Sequence, residues 1–290
     1  LPEEERIPLI EKFRKMYETM DFYVLYNRFL KKEGYQTLPR RPLEKRKLRY
    51  EDVYPVLYLK YRLSRQAERS NIKHLVIDEM QDYSRLQYLI IRRMFSCKMT
   101  ILGDRAQTMA DQQQDVLQFL PGIFGKDLRR IEMRKSYRNT VEIASYAANL
   151  IGVTDLELFE RHGIPVVERD VTDLEAALRE AVDTLFPEEK TYETAAVIVP
   201  DEKTAERAYL ILREILAEKD FDCEKRLSWL NRDSSSFKKG LTVTTFYLAK
   251  GLEFDQVFSI FPKDEKREIM MQAQYIAATR ALHELRVYHI

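Results

Sequence analysis

Two adjacent carboxylates stand at the end of a short apolar run, where they could take part in chemistry. Segment 73–78 (KHLVID) ends in Asp78, and Glu79 follows it directly. Such a run is typical of a buried parallel strand, and the carboxyl ends of parallel strands form ligand crevices. The aspartate could hold Mg²⁺ through water, and the glutamate could polarise an attacking water. The alternative is that the pair only caps the next helix at the surface.

A glutamine follows a second apolar run in a similar way. Segment 99–102 (MTIL) leads into Gly103 and Asp104, and Gln107 comes three residues later. A glycine lets the backbone turn sharply at a strand end. Gln107 could hydrogen-bond the phosphate end of a nucleotide, as water-positioning glutamines do in other NTPases. Taken alone, the segment is better explained as an ordinary turn.

Two arginines in the C-terminal half are candidates for binding phosphate. Arg138 ends the string Ser-Tyr-Arg, and Arg280 lies in the string Thr-Arg-Ala. The planar, permanently charged guanidinium fits phosphate oxygens, and two of them could reach a terminal phosphate as arginine fingers. Between them, segment 245–255 (TFYLAKGLEFD) places a Lys-Gly turn among apolar residues, which suits coupling a ligand site to the fold. In isolation, each arginine is more often part of a surface ion pair.

The near-zero net charge hides a strongly basic stretch. Segment 31–49 contains two acids, Glu33 and Glu44, and eight bases: Lys31, Lys32, Arg40, Arg41, Lys45, Arg46, Lys47 and Arg49. Its prolines and its glycine predict a loop or a broken helix. It could lie along a phosphate backbone, or it could be a solvated connector. Segment 155–189 is acidic and is a poor candidate for contact with DNA.

The elements that must position these residues alternate between short apolar runs and helical periodicity. This order favours α/β layers around parallel sheets, with a boundary between 124 and 136. We predict strands at 73–78, 99–102, 128–133, 195–199, 241–245, 256–261 and 285–290, and helices within 3–30 and at 51–63, 85–94, 139–150, 172–185, 203–218 and 269–282.

Composition excludes several classes of protein. Hydrophobic residues make up 45% of the 290 residues and charged residues 33%, which excludes a disordered chain, and 8 glycines and 10 prolines exclude a collagen-like one. No apolar run approaches the roughly 20 residues that span a bilayer, so we expect no membrane partner. Cys97 and Cys223 lack metal-ligand spacing, and the scarcity of cysteine favours a reducing cytoplasm.

Five segments in order resemble the successive motifs of superfamily 1 helicases of the UvrD/Rep type. They are DEMQD at Asp78, GDRAQ at Gly103, SYR at Ser136, AKGLEFD at Ala249 and YIAATRA at Tyr275. Finer features resemble the HelD branch, the RNA-polymerase-associated helicase-like proteins. These are Tyr83-Ser84 after the first motif, the form YLAKGLEFD, ALHEL after Arg280, and the lead-in at 50–60.

The resemblance, which covers about residues 73–290, implies an architecture and a set of partners. It implies two RecA-like units of the P-loop NTPase type with parallel sheets, the first incomplete, and a helical N-terminal lead. The domains are then 1–70 (helical lead with the basic stretch), 71–130 (partial first RecA-like domain) and 131–290 (second RecA-like domain). ATP and Mg²⁺ are the implied cofactors, and DNA is the implied partner of a cytoplasmic, monomeric protein.

The resemblance also implies roles for individual residues around a cleft between the two units. Asp78 would bind Mg²⁺ through water, Glu79 would be the catalytic base, Gln107 would sense the γ-phosphate, Arg138 and Arg280 would contact it, and Gly251 and Glu253 would contact the nucleotide. We expect both arginines to be partly exposed and paired with acids such as Glu253. Tyr247 stands where UvrD-type motifs have histidine; it joins Lys31, Arg40, Arg41, Arg46 and Lys47 as a candidate nucleic-acid contact.

One departure from the family pattern limits these roles. The phosphate-cradling loop G-x-x-x-x-G-K-[ST] does not occur before Asp78. We therefore expect this chain to be the C-terminal part of a longer ATPase, and to be inactive alone. Two alternatives stay open: a HelD-type ATPase that remodels RNA polymerase rather than unwinding DNA, and a non-catalytic module that binds nucleic acid or polymerase.

Overall fold

The computed structural model describes residues 2–15, 19, 21–63, 69, 71–108, 115–125, 128–154, 157–219, 221–234, 238–263 and 268–290. The helices are α1 (Glu3–Lys15), α2 (Phe22–Lys32), α3 (Tyr50–Leu63), α4 (Arg85–Met94), α5 (Val116–Phe124), α6 (Val141–Leu150), α7 (Leu174–Asp183), α8 (Glu202–Ala217), α9 (Cys223–Arg226) and α10 (Glu268–Ala278). The strands are β1 (His74–Ile77), β2 (Lys98–Ile101), β3 (Lys135–Ser136), β4 (Glu157–Leu158), β5 (Val167–Asp170), β6 (Thr194–Val199), β7 (Leu227–Trp229), β8 (Gly240–Thr245), β9 (Phe254–Phe261) and β10 (Ala281–His289).

The chain forms two compact units. The first lies within residues 1–129, and the second comprises residues 130–290 together with the short segment 105–109. Gln107 therefore belongs to the second unit, although it follows a strand of the first. The division into a helical lead and two RecA-like domains stays a prediction.

The helical lead of the first unit is built on α2 and α3. The carboxylate of Asp21 accepts the backbone N–H of Tyr23 (3.0 Å) and so starts α2. Leu38, on the segment that follows α2, is buried in one cluster with Tyr23, Tyr26 and other apolar side chains of these elements. The amide of Asn27 both donates to the Leu38 carbonyl (3.2 Å) and accepts its N–H (2.7 Å). The segment after α2 is therefore anchored along that helix.

The first sheet consists of β1 and β2, which pair in parallel from His74–Lys98 to Ile77–Ile101. Ile77 is buried against α4 and α5, where Tyr88 is fully enclosed. The other face of β1 carries Val76, which is 61% exposed. The predicted strand is confirmed, and one of its faces is buried.

The second unit holds a six-stranded parallel sheet in the order β5-β10-β9-β6-β8-β7. Alternation along β6 sends Ala195, Val197 and Val199 to one face and Ala196 and Ile198 to the other. Helices α7 and α8 cover the first face, and α6 and α10 cover the second. The predicted α/β class with parallel sheets is confirmed.

Two sequence expectations need correction. Segment 128–133 is not a strand: β3 begins only at Lys135, and Ile131 and Met133 are 75% and 86% exposed. The helix expected to reach residue 282 ends at Ala278, because β10 begins at Ala281. The helices expected within 3–30 are α1 and α2. Met16 and Met20, two of the apolar residues whose helical spacing predicted them, lie outside the described residues.

Candidate functional site

The acidic pair lies at the carboxyl end of β1. Asp78 is exposed, and its Oδ1 accepts the backbone N–H of Glu79 (2.8 Å). Glu79 is half-buried and adopts the left-handed conformation with φ 52°. Residues other than glycine rarely adopt this left-handed conformation, and backbone strain of this kind is often found at functional sites.

Gln81, to which the motifs assigned no role, joins the ends of β1 and β2. Its Nε2 donates to Glu79 Oε2 (2.5 Å), and its Oε1 accepts the N–H of Asp104 (3.1 Å). A Cβ on Gly103 would come within 2.7 Å of the Met80 nitrogen, so only glycine fits this close approach. The carboxylate of Glu79 is thus held by a buried amide. In the sequence, the only signal for this role is that Gln81, a polar residue, follows Glu79 by two positions.

Arg280 is buried in the second unit, with 2% of its surface exposed, so the expectation that it would be partly exposed is wrong. Its Nε donates to the Ile276 carbonyl (3.2 Å), and its Nη2 donates to Thr279 Oγ1 (3.1 Å) and to Gln107 Oε1 (3.4 Å). Hydrogen bonds to oxygen acceptors let a guanidinium stay charged away from water. The structure thus brings Gln107 and Arg280 together.

Arg138 differs from Arg280 in exposure. Its side chain is 45% exposed, and its Nε lies 2.6 Å from Glu253 Oε1. The expected pairing with Glu253 is confirmed. The next residue, Phe254, donates its N–H to the Arg280 carbonyl (2.9 Å), so the Glu253 segment runs beside both arginines.

The Lys-Gly turn lies between β8 and β9. Gly251 is exposed with φ 77°, a conformation that favours glycine. Tyr247 is half-buried, with its ring edge-on to Phe246 (5.4 Å between centroids) and with Arg232 6.0 Å from its centroid. Contacts within the second unit account for the position of Tyr247.

The start of α6, three residues after Arg138, carries a strongly acidic carboxyl group. Burial by itself would raise the pKa of Glu142, but hydrogen bonds lower it to about 2. The donors include the His162 ring (3.0 Å) and the Gly163 N–H (2.8 Å). Thr140 caps the helix by accepting the Ile143 N–H. A carboxylate in the first turn also interacts favourably with the helix dipole.

The basic stretch divides into anchored and exposed residues. Arg46 is paired with Asp21 (2.7 Å), donates to the Arg41 carbonyl (3.0 Å) and lies 4.8 Å from the ring centroid of Tyr23. Its side chain is 19% exposed, so Arg46 holds the segment on α2. The exposed bases are Lys31, Lys32, Arg40, Arg41, Lys45, Lys47 and Arg49.

The donor set tests which groups the site can hold. Within the described ranges, no three His, Cys, Asp or Glu side chains gather as a metal centre would require. Asp78 supplies one hard carboxylate, which fits Mg²⁺, because that ion is usually held by one or two carboxylates, water and substrate phosphates. Arg138, Arg280 and Gln107 supply donors suited to an anion.

Comparison with known proteins gives a partial assignment. Residues 4–109 match the family model of the UvrD/REP helicase N-terminal domain. This segment contains Asp78, Glu79 and Gln107. A search of curated proteins gave no significant match. No helix in the described parts of the chain has the length and apolar character that a membrane span requires.

Three solved structures are similar at low identity. The C-terminal domain of a possible DNA helicase from Lactobacillus plantarum is 23% identical, with a TM-score of 0.40; the match covers 53% of this chain and 88% of that domain. The PRRSV helicase is 16% identical over 77% of this chain and 36% of its own, with a TM-score of 0.41. An arterivirus helicase complexed with DNA is 14% identical over 77% and 41%, also with a TM-score of 0.41. This chain therefore spans less than half the length of the two viral helicases. Residues 4–109 are similar to the N-terminal domain of UvrD/REP helicases.

Proposed function

We propose that this chain is part of an ATP-dependent superfamily 1 helicase or translocase of the UvrD/Rep type, built on RecA-like units and acting in the cytoplasm. The observation that carries the proposal is the acidic strand end. Asp78 and Glu79 follow β1 inside the segment that matches the helicase family, and Gln81 holds the Glu79 carboxylate in place. A strand end of this kind suits water activation beside a phosphate.

The proposed roles follow from the chemistry of the side chains. Asp78 would hold Mg²⁺ through water, and the Glu79 carboxylate would accept a proton from the attacking water. ATP would supply the phosphoanhydride bond that is cleaved. Gln107, Arg138 and Arg280 would donate to the terminal phosphate, and Gly251 and Glu253 would contact the nucleotide.

The phosphate-binding loop is proposed to belong to a longer protein that carries this chain. Its backbone N–H groups and lysine supply much of the binding to the β- and γ-phosphates. The isolated chain is then expected to show negligible ATP hydrolysis. Turnover near the enzyme range of roughly 1–1000 s⁻¹ in a steady-state assay would contradict this.

Glu79→Gln in the full-length protein tests the proposed reaction. The amide keeps the size of the side chain but cannot take a proton, so ATP binding persists while turnover falls roughly 10²–10⁴-fold. Asp82→Asn is the matched control, because it makes the same change three residues away. Wild-type turnover in Glu79→Gln would mean that the acidic pair is only a structural cap.

DNA is the proposed partner of the exposed part of the basic stretch. Lys31 is exposed in the last turn of α2, and Arg40, Arg41 and Lys47 are exposed on the following segment, which Asn27 and Arg46 anchor along α2. A fixed row of positive charge can follow a phosphate backbone and release its counterions. Arg46 serves as an anchor in this proposal, and Tyr247 is a weaker candidate because its ring packs within the second unit.

Neutralising these four residues to glutamine tests the DNA contact. Affinity for DNA should fall and its salt dependence should flatten, by up to about one unit of slope for each phosphate that is no longer neutralised. Arg46→Gln is the contrasting variant and should lower the melting temperature, since it removes an ion pair and a ring contact. Unchanged DNA affinity in the fourfold variant would favour a protein partner, the HelD-type alternative with RNA polymerase.

A further inference from the structure

Asn139 joins the segments that carry the two arginines. It directly follows Arg138, and its side chain is buried, with 7% of the residue exposed. Its Nδ2 donates to the carbonyl groups of Thr279 (3.2 Å) and Ala281 (2.6 Å), the two residues that flank Arg280. One amide group thus binds the backbone on both sides of Arg280.

Arg161 forms a second bridge between the same two segments. Its Nη2 donates to the carbonyl group of Arg138 and to that of Leu282 (2.6 Å). Its own carbonyl accepts the N–H of Val141 (2.9 Å), so it is fixed at the start of α6. The bridge therefore reaches from the α6 start to the first residues of β10.

The secondary structure does not require these two bridges. Thr140, not Asn139, caps α6, so the Asn139 amide is available for long-range bonds. Arg138 and Arg280 carry the same charge and do not attract each other, and Arg138 forms its ion pair with Glu253. Without these two side chains, the hydrogen bonds described above would no longer hold the Arg138 segment next to the Arg280 segment.

We infer that Asn139 and Arg161 are positioning residues that hold Arg138 and Arg280 as one preset pair. The effect of this positioning on catalysis rests on the proposed function, in which the two arginines bind the terminal phosphate. Donors that are already in place cost no reorganisation when negative charge develops, so presetting favours the transition state over the ground state. The bridges then act on turnover rather than on nucleotide affinity.

The first experiment measures the position of Arg280 and needs no nucleotide. Solvent exchange of the Arg280 Nε–H is followed by NMR in this chain, in Asn139→Ala and in Arg161→Met. We expect exchange to accelerate about tenfold or more in both variants, and Arg161→Lys, which keeps a charged donor, should recover part of the protection. Gln256→Ala is the matched control: it removes a buried amide bonded to Thr184, Phe186 and Glu284, none of which bonds to Arg280, and it should leave the Arg280 signal unchanged.

The second experiment separates turnover from binding in the full-length protein. Asn139→Ala should lower kcat about tenfold, equivalent to about 1.4 kcal/mol, with less than threefold change in KM for ATP. Combined with Arg280→Ala, it should add little further loss, because both changes disable the same group.

The outcomes distinguish the positioning role from the proposed function. Faster Arg280 exchange in a full-length protein that does not hydrolyse ATP would refute the proposed function and leave the positioning role standing. Unchanged exchange in both Asn139→Ala and Arg161→Met would overturn the positioning role, whatever the rate of hydrolysis. A fall in kcat equal to that of Gln256→Ala would also overturn it, since loss of stability would then explain the effect.

Discussion

The strand ends of the two units hold their candidate residues in different ways. At the end of β1, Glu79 is held by Gln81, two residues away, and Gln81 in turn accepts the N–H of Asp104 at the end of the adjacent strand. Just before β10, the Arg280 guanidinium donates to carbonyls of α10 and of the Leu252 turn. Asn139, about 140 residues away, binds the backbone carbonyls on either side of Arg280.

This difference indicates how each unit positions its candidate residues. The acidic pair of the first unit depends on local bonds and a strained backbone on a two-stranded sheet with one exposed face. The arginines of the second unit depend on contacts around a sheet that is buried on both faces. Substitutions in the second unit should therefore cost more stability than equivalent substitutions in the first.

The largest contrast is expected in the sheets themselves. Phe258 in β9 is 1% exposed, so Phe258→Ala should lower the free energy of unfolding by about 3–5 kcal/mol. Val76→Ala in β1 should cost no more than about 0.5 kcal/mol, because that side chain is largely solvated. Urea unfolding followed by fluorescence of Trp229, the single tryptophan, reports on the second unit, and circular dichroism reports on both. Similar losses in the two variants would refute the comparison.

A smaller effect is expected at the two arginines. Arg280→Ala would leave buried acceptors without a donor and open a cavity, at a cost of about 2–4 kcal/mol. Arg138→Ala removes a half-exposed ion pair and should cost at most about 1 kcal/mol. Urea unfolding midpoints of the two variants measure the two losses of stability. A larger loss for Arg138→Ala would show that burial does not make Arg280 the more important residue for stability.

The smallest effect concerns acid stability at the start of α6. The folded-state pKa of Glu142 lies near 2, below the ordinary value of 4.5. Its stabilisation is therefore present above about pH 4.5 and is lost as the pH falls toward 2. Glu142→Gln should lower the unfolding midpoint at pH 7 and flatten its decline between those values. Glu175→Gln, at a surface pair with Arg179, is the control, and the same decline in both variants would exclude Glu142 as the cause.

Local patterns predicted much of the fold. The run 195–199 (AAVIV) was sufficient, because a strand buried on both faces is apolar throughout, and 241–245 (LTVTT) is rich in the β-branched residues that strands favour. Segment 128–133 (LRRIEM) was wrongly predicted as a strand because its apolar residues are interspersed with charged ones. Strand formation also needs a partner strand, which a local pattern does not contain.

The candidate site was predictable in its residue types and less so in its environment. Motif order predicts roles for Glu79 and Arg280 but not their surroundings. Gln81 acts through a side-chain bond to Glu79, and Asn139 and Arg161 act through bonds to distant backbone carbonyls, none of which the sequence shows. The burial of Arg280 was missed because charge alone suggests exposure, whereas backbone and side-chain oxygens replace water around its guanidinium.

The two outermost strands of the large sheet affect how the protein behaves at high concentration. Strand β7 has only three residues, and β5 carries Glu168, Arg169 and Asp170, which pair with His289, Glu180 and Lys263. Free strand edges are templates for fibril growth, and short length and charge are two of the features that block it. Aggregation by edge-to-edge strand pairing is therefore disfavoured at both ends of this sheet.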